Sequence, residues 1–291
     1  MTEDSRYNKK GFDDRIVRYQ KIHKISDEQY AALLKAIDPM EGEKIFEGCA
    51  GYADVSKHLL QTTAHFTKKL EIFIQDESKT QLEIARREVS LPEDHILLGD
   101  VRNTGISENT FDKTIIKMGV HELPKEKQSK VFTEMYRILK PGGKFVIWEL
   151  SLDADTQEVF SDVVKKKNEL AGFDQIVQNR YLQKHEELVS LFENAGFTNI
   201  KDEYFIRYNF NAKSRFDEMI SRDRKLLLET KGAISKTDET ELQMKAVTRV
   251  NELLDYMRKR IPVELREKVL YKDSGDDVEL TVNKVIMSAR K

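Results

Sequence analysis

The chain has 291 residues, enough for one large domain or for a core domain with a sizeable extra segment. Its 49 basic and 51 acidic side chains nearly cancel, so no excess of positive charge favours a nucleic-acid partner. The single cysteine, Cys49, excludes an intrachain disulfide and a cysteine metal cluster, and no run of about 20 apolar residues predicts a membrane helix. Together with an N-terminus that lacks a signal-peptide core, these features predict a cytoplasmic protein without a metal site.

The predicted elements begin with a helix over 27–37, which places Tyr30, Leu33, Leu34 and Ile37 on one face. Between residues 44 and 150, short apolar runs alternate with helical patterns, including a helix over 125–139 closed by Pro141-Gly142-Gly143. The apolar runs are KIFEG, LEIFIQD, HILLGD, FDKTIIKM and KFVIWEL. This alternation predicts a parallel sheet with crossover helices.

The second half of the chain is less regular. A helix over 185–194 stops before Gly196, DEYFIRYNF is a strand candidate, and the tail DVELTVNKVIMSARK predicts a final strand. A charged helical stretch lies between the last two strands. Its apolar stripe consists of Val247, Val250, Leu254, Met257 and Ile261. We interpret the stripe as buried against the same chain, with a lid or a dimer seam as the alternatives.

A turn rich in small residues follows the first strand, in the sequence Glu47-Gly48-Cys49-Ala50-Gly51-Tyr52-Ala53-Asp54. Small residues let a ligand approach the backbone, and the next helix offers unpaired N–H groups to a carboxylate. Tight packing of the strand against the helix would favour the same residues. The turn alone therefore leaves both interpretations open.

Acidic residues follow the second and third strands. Asp76 can accept hydrogen bonds from ribose hydroxyls; a helix N-cap is the alternative, although Ser78 could cap the helix while Asp76 faces a nucleoside. Asp100 and Val101 after the third strand offer a carboxylate and an apolar contact to an adenine amino group and ring. For Asp100, a simple turn residue is the alternative.

Two motifs carry a resemblance to a known family. D-x-S-x-x-x-L-x-x-A-R spans 76–86 and R-x-L-K-P-G-G spans 137–143, and IFEGCAGYAD, GDV, FDKTIIKMGVHEL and ELVSLFENAGF accompany them in order. Over residues 40–205 the chain resembles class I S-adenosylmethionine (SAM)-dependent methyltransferases, most of all the ubiquinone/menaquinone C-methyltransferase-like branch. The resemblance implies an α/β fold, with a Rossmann-like, mostly parallel seven-stranded sheet, an antiparallel last strand and helices on both faces.

The resemblance also implies an organisation and a function. Residues 1–40 would form an N-terminal helical lid segment, 41–205 the SAM-binding core, and 206–291 the last strands with a helical cap insertion at about 211–270. SAM, which becomes S-adenosylhomocysteine, would methylate oxygen, nitrogen or carbon of a small-molecule acceptor. A protein of this fold that binds either compound without methyl transfer is the alternative. No nucleic acid and no membrane insertion are expected, and a homodimer stays open.

The cofactor residues follow from the same resemblance. They are Glu47, Gly48, Cys49 and Gly51 for the methionine end, Asp76 and Glu77 for the ribose, Asp100 and Val101 for the adenine, and Met118 after the fourth strand. Without gaps, the glycine-x-glycine-x-glycine loop of the family corresponds to 49–53, which puts Cys49 and Ala53 at the outer glycine positions. If these positions need positive φ, each side chain costs about 1 to 2 kcal/mol. A register shifted to Gly48, with a small insertion, is the alternative.

Few catalytic groups are required, because a sulfonium donor is already activated and the protein mainly aligns the acceptor. His121 is the first candidate for a base or substrate contact and Glu122 the second; a structural histidine is the alternative. Tyr19 resembles the aromatic lid residues of the family, with simple packing as the alternative. Two long insertions, 152–181 and 214–268, supply the other candidate acceptor contacts. These are Tyr181, Arg207 and Tyr208.

Overall fold

The computed structural model describes residues 25–173 and 180–291. The elements of the first half are α1 (Asp27–Ile37), β1 (Lys44–Gly48), α2 (Asp54–Thr62), β2 (Glu71–Asp76), α3 (Lys79–Glu88), β3 (Ile96–Leu98), β4 (Phe111–Lys117), α4 (Lys125–Ile138) and β5 (Leu139–Leu150). Those of the second half are α5 (Ala154–Leu170), α6 (His185–Asn194), β6 (Thr198–Asn211), α7 (Ser221–Lys231), α8 (Lys236–Arg260), α9 (Val263–Arg266), β7 (Lys272–Asp273) and β8 (Val278–Arg290). All five strands predicted before residue 151 are confirmed.

The strands form one sheet in the order β3-β2-β1-β4-β5-β8-β6, and the short β7 pairs with β8 outside this order. Strands β1 to β5 pair in parallel, and β8 runs antiparallel to β5. The predicted Rossmann-like sheet with an antiparallel last strand is confirmed, with β7 as an unpredicted addition. The strand order reverses between β1 and β4, which is where open α/β sheets bind ligands at the carboxyl ends of their strands.

Helices cover both faces of the sheet, as predicted. On one face α1, α2 and α3 pack against β1, β2, β4 and β5 through aliphatic side chains such as Ile37, Leu59 and Leu82. On the other face α4 and α6 pack through Phe132 and Phe192, whose rings lie 4.9 Å apart. Because the central strands are covered on both faces, their sequences are continuously apolar rather than alternating.

Helix starts follow local capping chemistry. Ser26 forms a capping box with Gln29 at the start of α1, and Ser78 accepts a hydrogen bond from the Gln81 backbone N–H at the start of α3. The end of α4 differs from the prediction. It ends at Ile138, and 139–143 already belong to β5, because Leu139 pairs with Phe111 before a register irregularity.

The described residues divide into two compact units. The sheet unit comprises Ile25–Ser151, Gln183–Ile206 and Asn283–Lys291, and the helical unit comprises Leu152–Leu182 and Arg207–Val282. In the helical unit, α8 packs on α5, and a buried Glu218 carboxylate lies 2.7 Å from the Lys167 ammonium and 3.0 Å from the Arg215 guanidinium.

The apolar stripe of α8 is mostly buried. Val250, Leu254, Met257 and Ile261 are at most 5% exposed, which confirms burial against the same chain for these four, whereas Val247 is 50% exposed. No helix in the described ranges has both the length and the apolarity needed to cross a bilayer.

Candidate functional site

The parallel strands bring most predicted cofactor residues to one edge of the sheet unit. β1 ends at Gly48, β2 ends at Asp76, β3 is followed by Asp100, and β4 is followed by Met118. Carboxyl ends of parallel strands share an edge, so these residues lie at one edge of the sheet around the reversal of strand order. We call this the carboxyl edge.

The turn after β1 has three left-handed residues at alternate positions. The φ angles are +51° for Cys49, +56° for Gly51 and +61° for Ala53. These are the three glycine positions of the ungapped alignment, whereas Gly48 has no positive φ. The backbone therefore supports the ungapped register over the shifted one. Since a side chain at such a φ costs about 1 to 2 kcal/mol, the turn stores strain at Cys49 and Ala53.

Asp76 ties this turn to β2. Its Oδ2 accepts a 2.8 Å hydrogen bond from the Gly51 backbone N–H, and its Oδ1 accepts one of 2.8 Å from the Ser78 N–H. The N-cap of α3 is Ser78 rather than Asp76, so the capping role and the position at the turn are separated. Asp76, at the end of β2, thus acts as a clamp that fixes the left-handed turn after β1.

Close backbone approach explains two glycines at this edge. A Cβ at Gly48 would lie 2.6 Å from Val101 Cγ2, and a Cβ at Gly119 would lie 2.5 Å from Cys49 Cβ. The loops after β1, β3 and β4 therefore touch with no room for further side chains. Glycine at 119 was not predicted, and only its neighbour Met118, which has a φ of +55°, was a candidate.

Glu47 lies beneath the turn and is 2% exposed. Its carboxylate accepts hydrogen bonds from the Ser56 backbone N–H, at 2.9 Å, and from the Ser56 hydroxyl. Burial raises the pKa of Glu47 to about 7 although both bonds to Ser56 lower it. Glu47 therefore joins β1 to the first turn of α2.

Asp100 forms a compact turn with its own neighbour. Its carboxylate accepts 2.9 Å bonds from Arg102 Nε and a 2.8 Å bond from the Arg102 backbone N–H. The structure therefore shows the turn role that was left as the alternative. Because the Asp100 side chain is still 35% exposed, it remains accessible to a ligand. Val101 is buried against Gly48 and presents an apolar wall.

His121 belongs to a buried charged cluster. Its Nδ1 lies 2.6 Å from Glu149 Oε1 and its Nε2 lies 3.4 Å from Glu122 Oε1. Burial alone lowers the pKa of His121, but Glu149 and Glu122 outweigh burial and raise it to about 9. Glu149 also accepts hydrogen bonds from the backbone N–H groups of Val120 and Leu150. An imidazolium ion cannot accept a proton at neutral pH, so this geometry favours the structural role.

Sequence reasoning did not identify Glu149 or the cluster around Asp54. Lys117 at the end of β4 lies 3.0 Å from Asp54 Oδ2, and the Tyr30 ring stacks on His58 at 4.1 Å. Burial and a hydrogen bond with Asp54 raise the pKa of Tyr30. The available signal for Glu149 was its charge within the apolar run KFVIWEL; nothing in the sequence joined Tyr30 to Asp54.

The candidate acceptor residues do not all belong to the same unit. His121 lies in the sheet unit, whereas Tyr181, Arg207 and Tyr208 lie in the helical unit. Arg207 is exposed, and the Tyr208 hydroxyl accepts a 3.1 Å hydrogen bond from Arg215. Tyr19 lies outside the described residues.

Comparisons with known proteins agree with this fold. The model of the ubiE/COQ5 methyltransferase family matches residues 14–207. Demethylmenaquinone methyltransferase of Lactiplantibacillus plantarum is 31% identical over 159 residues, which is 49% of this chain and 65% of that relative's own length. Demethylmenaquinone methyltransferase of Staphylococcus saprophyticus is 26% identical over 204 residues, covering 63% of this chain and 84% of the relative.

A solved structure is also similar. A candidate methyltransferase from Bacillus halodurans C-125 has a TM-score of 0.64 at 18% identity, covering 91% of this chain and 99% of its own. Fold and sequence thus define a class I methyltransferase whose cofactor is SAM. Because the family model matches more than half of the chain, the protein belongs to the ubiE/COQ5 methyltransferase family.

Proposed function

We propose that this protein methylates a ring carbon of a reduced, quinone-type small molecule. Its family, and relatives named for demethylmenaquinone, support this acceptor class. The observation that carries the proposal is the left-handed turn from Cys49 to Ala53, clamped by Asp76, because a strained backbone at the head of a parallel sheet is a typical ligand-binding feature.

The positions of the side chains are consistent with a role for each candidate residue. We propose that the turn 48–51, with Glu47 beneath it, takes the methionine end of SAM, and that Asp76 and Glu77 take the ribose. Asp100 and Val101 fit the adenine, because they place an accessible carboxylate beside an apolar wall. SAM supplies an electrophilic methyl group when bound.

The protein's own contribution is alignment of the acceptor and exclusion of water. The methyl group replaces a proton of the ring carbon, and this proton is lost to solvent after the transfer, because the protonated His121 cannot accept it. In this proposal, Met118 borders the cofactor, and His121 with Glu122 shapes the loop that faces the acceptor. A cap role for the helical insertion and acceptor contacts of Tyr181, Arg207, Tyr208 and Tyr19 remain proposals. So do a cytoplasmic location, the homodimer and the lack of a nucleic-acid partner.

Calorimetry with S-adenosylhomocysteine tests the cofactor site. We expect Asp76→Ala to weaken binding by about 1 to 3 kcal/mol, because the charged hydrogen bonds that fix the turn are lost. Asp94→Ala, in an exposed turn, is the matched control and should bind like the parent. Equal affinity of the Asp76 variant and the parent would remove Asp76 from the site.

Turnover tests the acceptor class. The parent protein is incubated with SAM and a short-chain demethylmenaquinone analogue, with and without a chemical reductant. We expect a product heavier by one methylene only after reduction, because the quinol ring is the electron-rich form. Tight binding of S-adenosylhomocysteine without any methylated product would contradict the proposed reaction while leaving the cofactor site intact.

A further inference from the structure

Trp148 in β5 carries a buried hydrogen-bond donor. It is 3% exposed, and no described residue accepts a hydrogen bond from its indole Nε1, which is shielded from solvent. Buried donors in proteins are nearly always paired, because an unpaired one loses its hydration without compensation. The indole N–H is therefore a candidate donor to a bound molecule.

The position of Trp148 links it to the carboxyl edge. Trp148 is the register partner of Lys117, the last residue of β4, and its carbonyl accepts a 2.7 Å hydrogen bond from the Met118 N–H. The Lys117 ammonium lies 5.9 Å from the centre of the Trp148 ring. The indole thus neighbours the end of β4, where the strained Met118 follows.

The order of the strands separates two sides of this edge. Apart from Met118, which follows β4 at the reversal itself, the residues proposed for the cofactor follow β1, β2 and β3, on one side of the reversal between β1 and β4. Trp148 lies in β5, on the other side. A methyl acceptor has to approach the cofactor from the side that the cofactor does not cover. The neighbourhood of β4 and β5 is that side.

One other buried unpaired group lies away from the carboxyl edge. Thr114 Oγ1 is also buried without a partner, but it lies in the middle of β4, three residues before Lys117 and on the opposite face of the sheet from Trp148. Thr114 therefore provides a control for the effect of an unpaired group that is remote from the edge.

We propose that the Trp148 indole N–H donates a hydrogen bond to a ring oxygen of the acceptor and so fixes which ring carbon faces the methyl group. This inference rests on the proposed function and adds a specificity-determining residue to it. A quinol offers two ring oxygens, and a donor held rigidly in a strand can select one of them.

Nuclear magnetic resonance can observe this donor directly, because Trp148 is the only tryptophan of the chain. Protein labelled with ¹⁵N-tryptophan gives a single indole N–H signal. We expect a small change with S-adenosylhomocysteine alone and a downfield proton shift once the reduced demethylmenaquinone analogue is added. A full downfield shift with S-adenosylhomocysteine alone would assign the donor to the cofactor and overturn the proposal. An unmoved signal in the ternary complex would overturn it as well.

Kinetics provide a second measurement. Growth of a tryptophan auxotroph on benzothienylalanine replaces only Trp148, by a side chain of the same shape in which sulfur replaces the N–H. We expect the KM for the quinol to rise about tenfold, the effect of one hydrogen bond, with unchanged affinity for S-adenosylhomocysteine. Trp148→Phe should show the same KM increase, whereas Thr114→Val should keep the parent KM. An unchanged KM in both Trp148 forms would refute the inference.

The two failures are distinguishable. If the parent methylates the quinol while the indole signal stays unmoved, the Trp148 inference fails and the proposed function stands. If the parent binds S-adenosylhomocysteine but neither binds nor methylates the reduced analogue, the proposed acceptor class fails, and the Trp148 inference fails with it.

Discussion

Replacing the buried His121 and Glu149 by two glutamines should remove a pH-dependent part of the protein's stability. The pKa of His121 rises from 6.5 to about 9 because of Glu149 and Glu122, although burial opposes the rise. A raised pKa means that folding favours the protonated form. The stabilisation is therefore complete below pH 6.5 and is lost as the pH rises through 9. The difference of about 2.5 units, at about 1.36 kcal/mol each, corresponds to about 3 kcal/mol.

Guanidinium unfolding at pH 6 and pH 9.5 measures this effect. The free energy of unfolding of the parent, relative to His121→Gln/Glu149→Gln, should fall by about 3 kcal/mol between the two pH values. The double variant is the proper reference because neither glutamine titrates and both retain hydrogen-bonding groups. His65→Gln, at an exposed histidine, should follow the parent. A difference in unfolding free energy between the parent and the double variant that stays constant from pH 6 to pH 9.5 would refute the ion pair.

The same pKa bears on catalysis. A histidine with a pKa of about 9 stays protonated from pH 6 to pH 8, so it cannot act as a general base there. We therefore expect the pH profile of kcat to lack a rise near pH 6.5. A rise at that pH that disappears in the single variant His121→Gln would restore the catalytic role that the sequence first indicated.

Three further substitutions test the turn and the helical unit. Ala53→Gly should stabilise the fold by up to about 1 kcal/mol in guanidinium unfolding. Removing the strain of the left-handed φ, about 1 to 2 kcal/mol, outweighs the entropy cost of glycine. A loss of stability would contradict the left-handed φ. Gly48→Ala should lower stability by about 1 to 3 kcal/mol, since its Cβ overlaps Val101, and an unchanged melting temperature would argue against that contact. Glu218→Gln should cost about 3 to 5 kcal/mol at pH 7, because the buried Arg215 and the partly buried Lys167 lose an ionic contact. The two cations lower the pKa of Glu218 despite its burial, so the loss of stability in the variant should shrink as the pH falls below 4.5. A loss of stability below pH 4.5 equal to that at pH 7 would contradict the pairing.

Much of the sheet unit could be predicted from sequence because its signals are local. Continuous apolar runs identified the buried strands β1 to β5, and the helices over 27–37 and 185–194 have the predicted bounds. The predicted start of β5 was wrong, because Pro141-Gly142-Gly143 was interpreted as a helix stop. Pairing of Leu139 with Phe111, a long-range contact, instead extends the strand back across it.

The site was less predictable because its key interactions are long-range. The resemblance indicated which residues are expected to contact the cofactor, but no sequence pattern gives the φ of Cys49 or the hydrogen bond between Asp76 and Gly51. Glu149 and Trp148 lie inside a run that was interpreted only as a buried strand. The role of Glu149 depends on a partner in another element, and that of Trp148 on the lack of a hydrogen-bond partner among the described residues. The spacing of residues in the sequence predicts neither.

Residues with a strained backbone or an unpaired buried donor also indicate where the site lies. Among non-glycine residues with positive φ in the described ranges, three are Asp or Asn, which tolerate this conformation. The others are Cys49, Ala53, Met118 and Leu270, and the first three of these border the carboxyl edge. The unpaired indole N–H of Trp148 lies beside the same edge. Strain and an unsatisfied donor persist where the surrounding structure holds them and function uses them, so this concentration points to a ligand site independently of any relative.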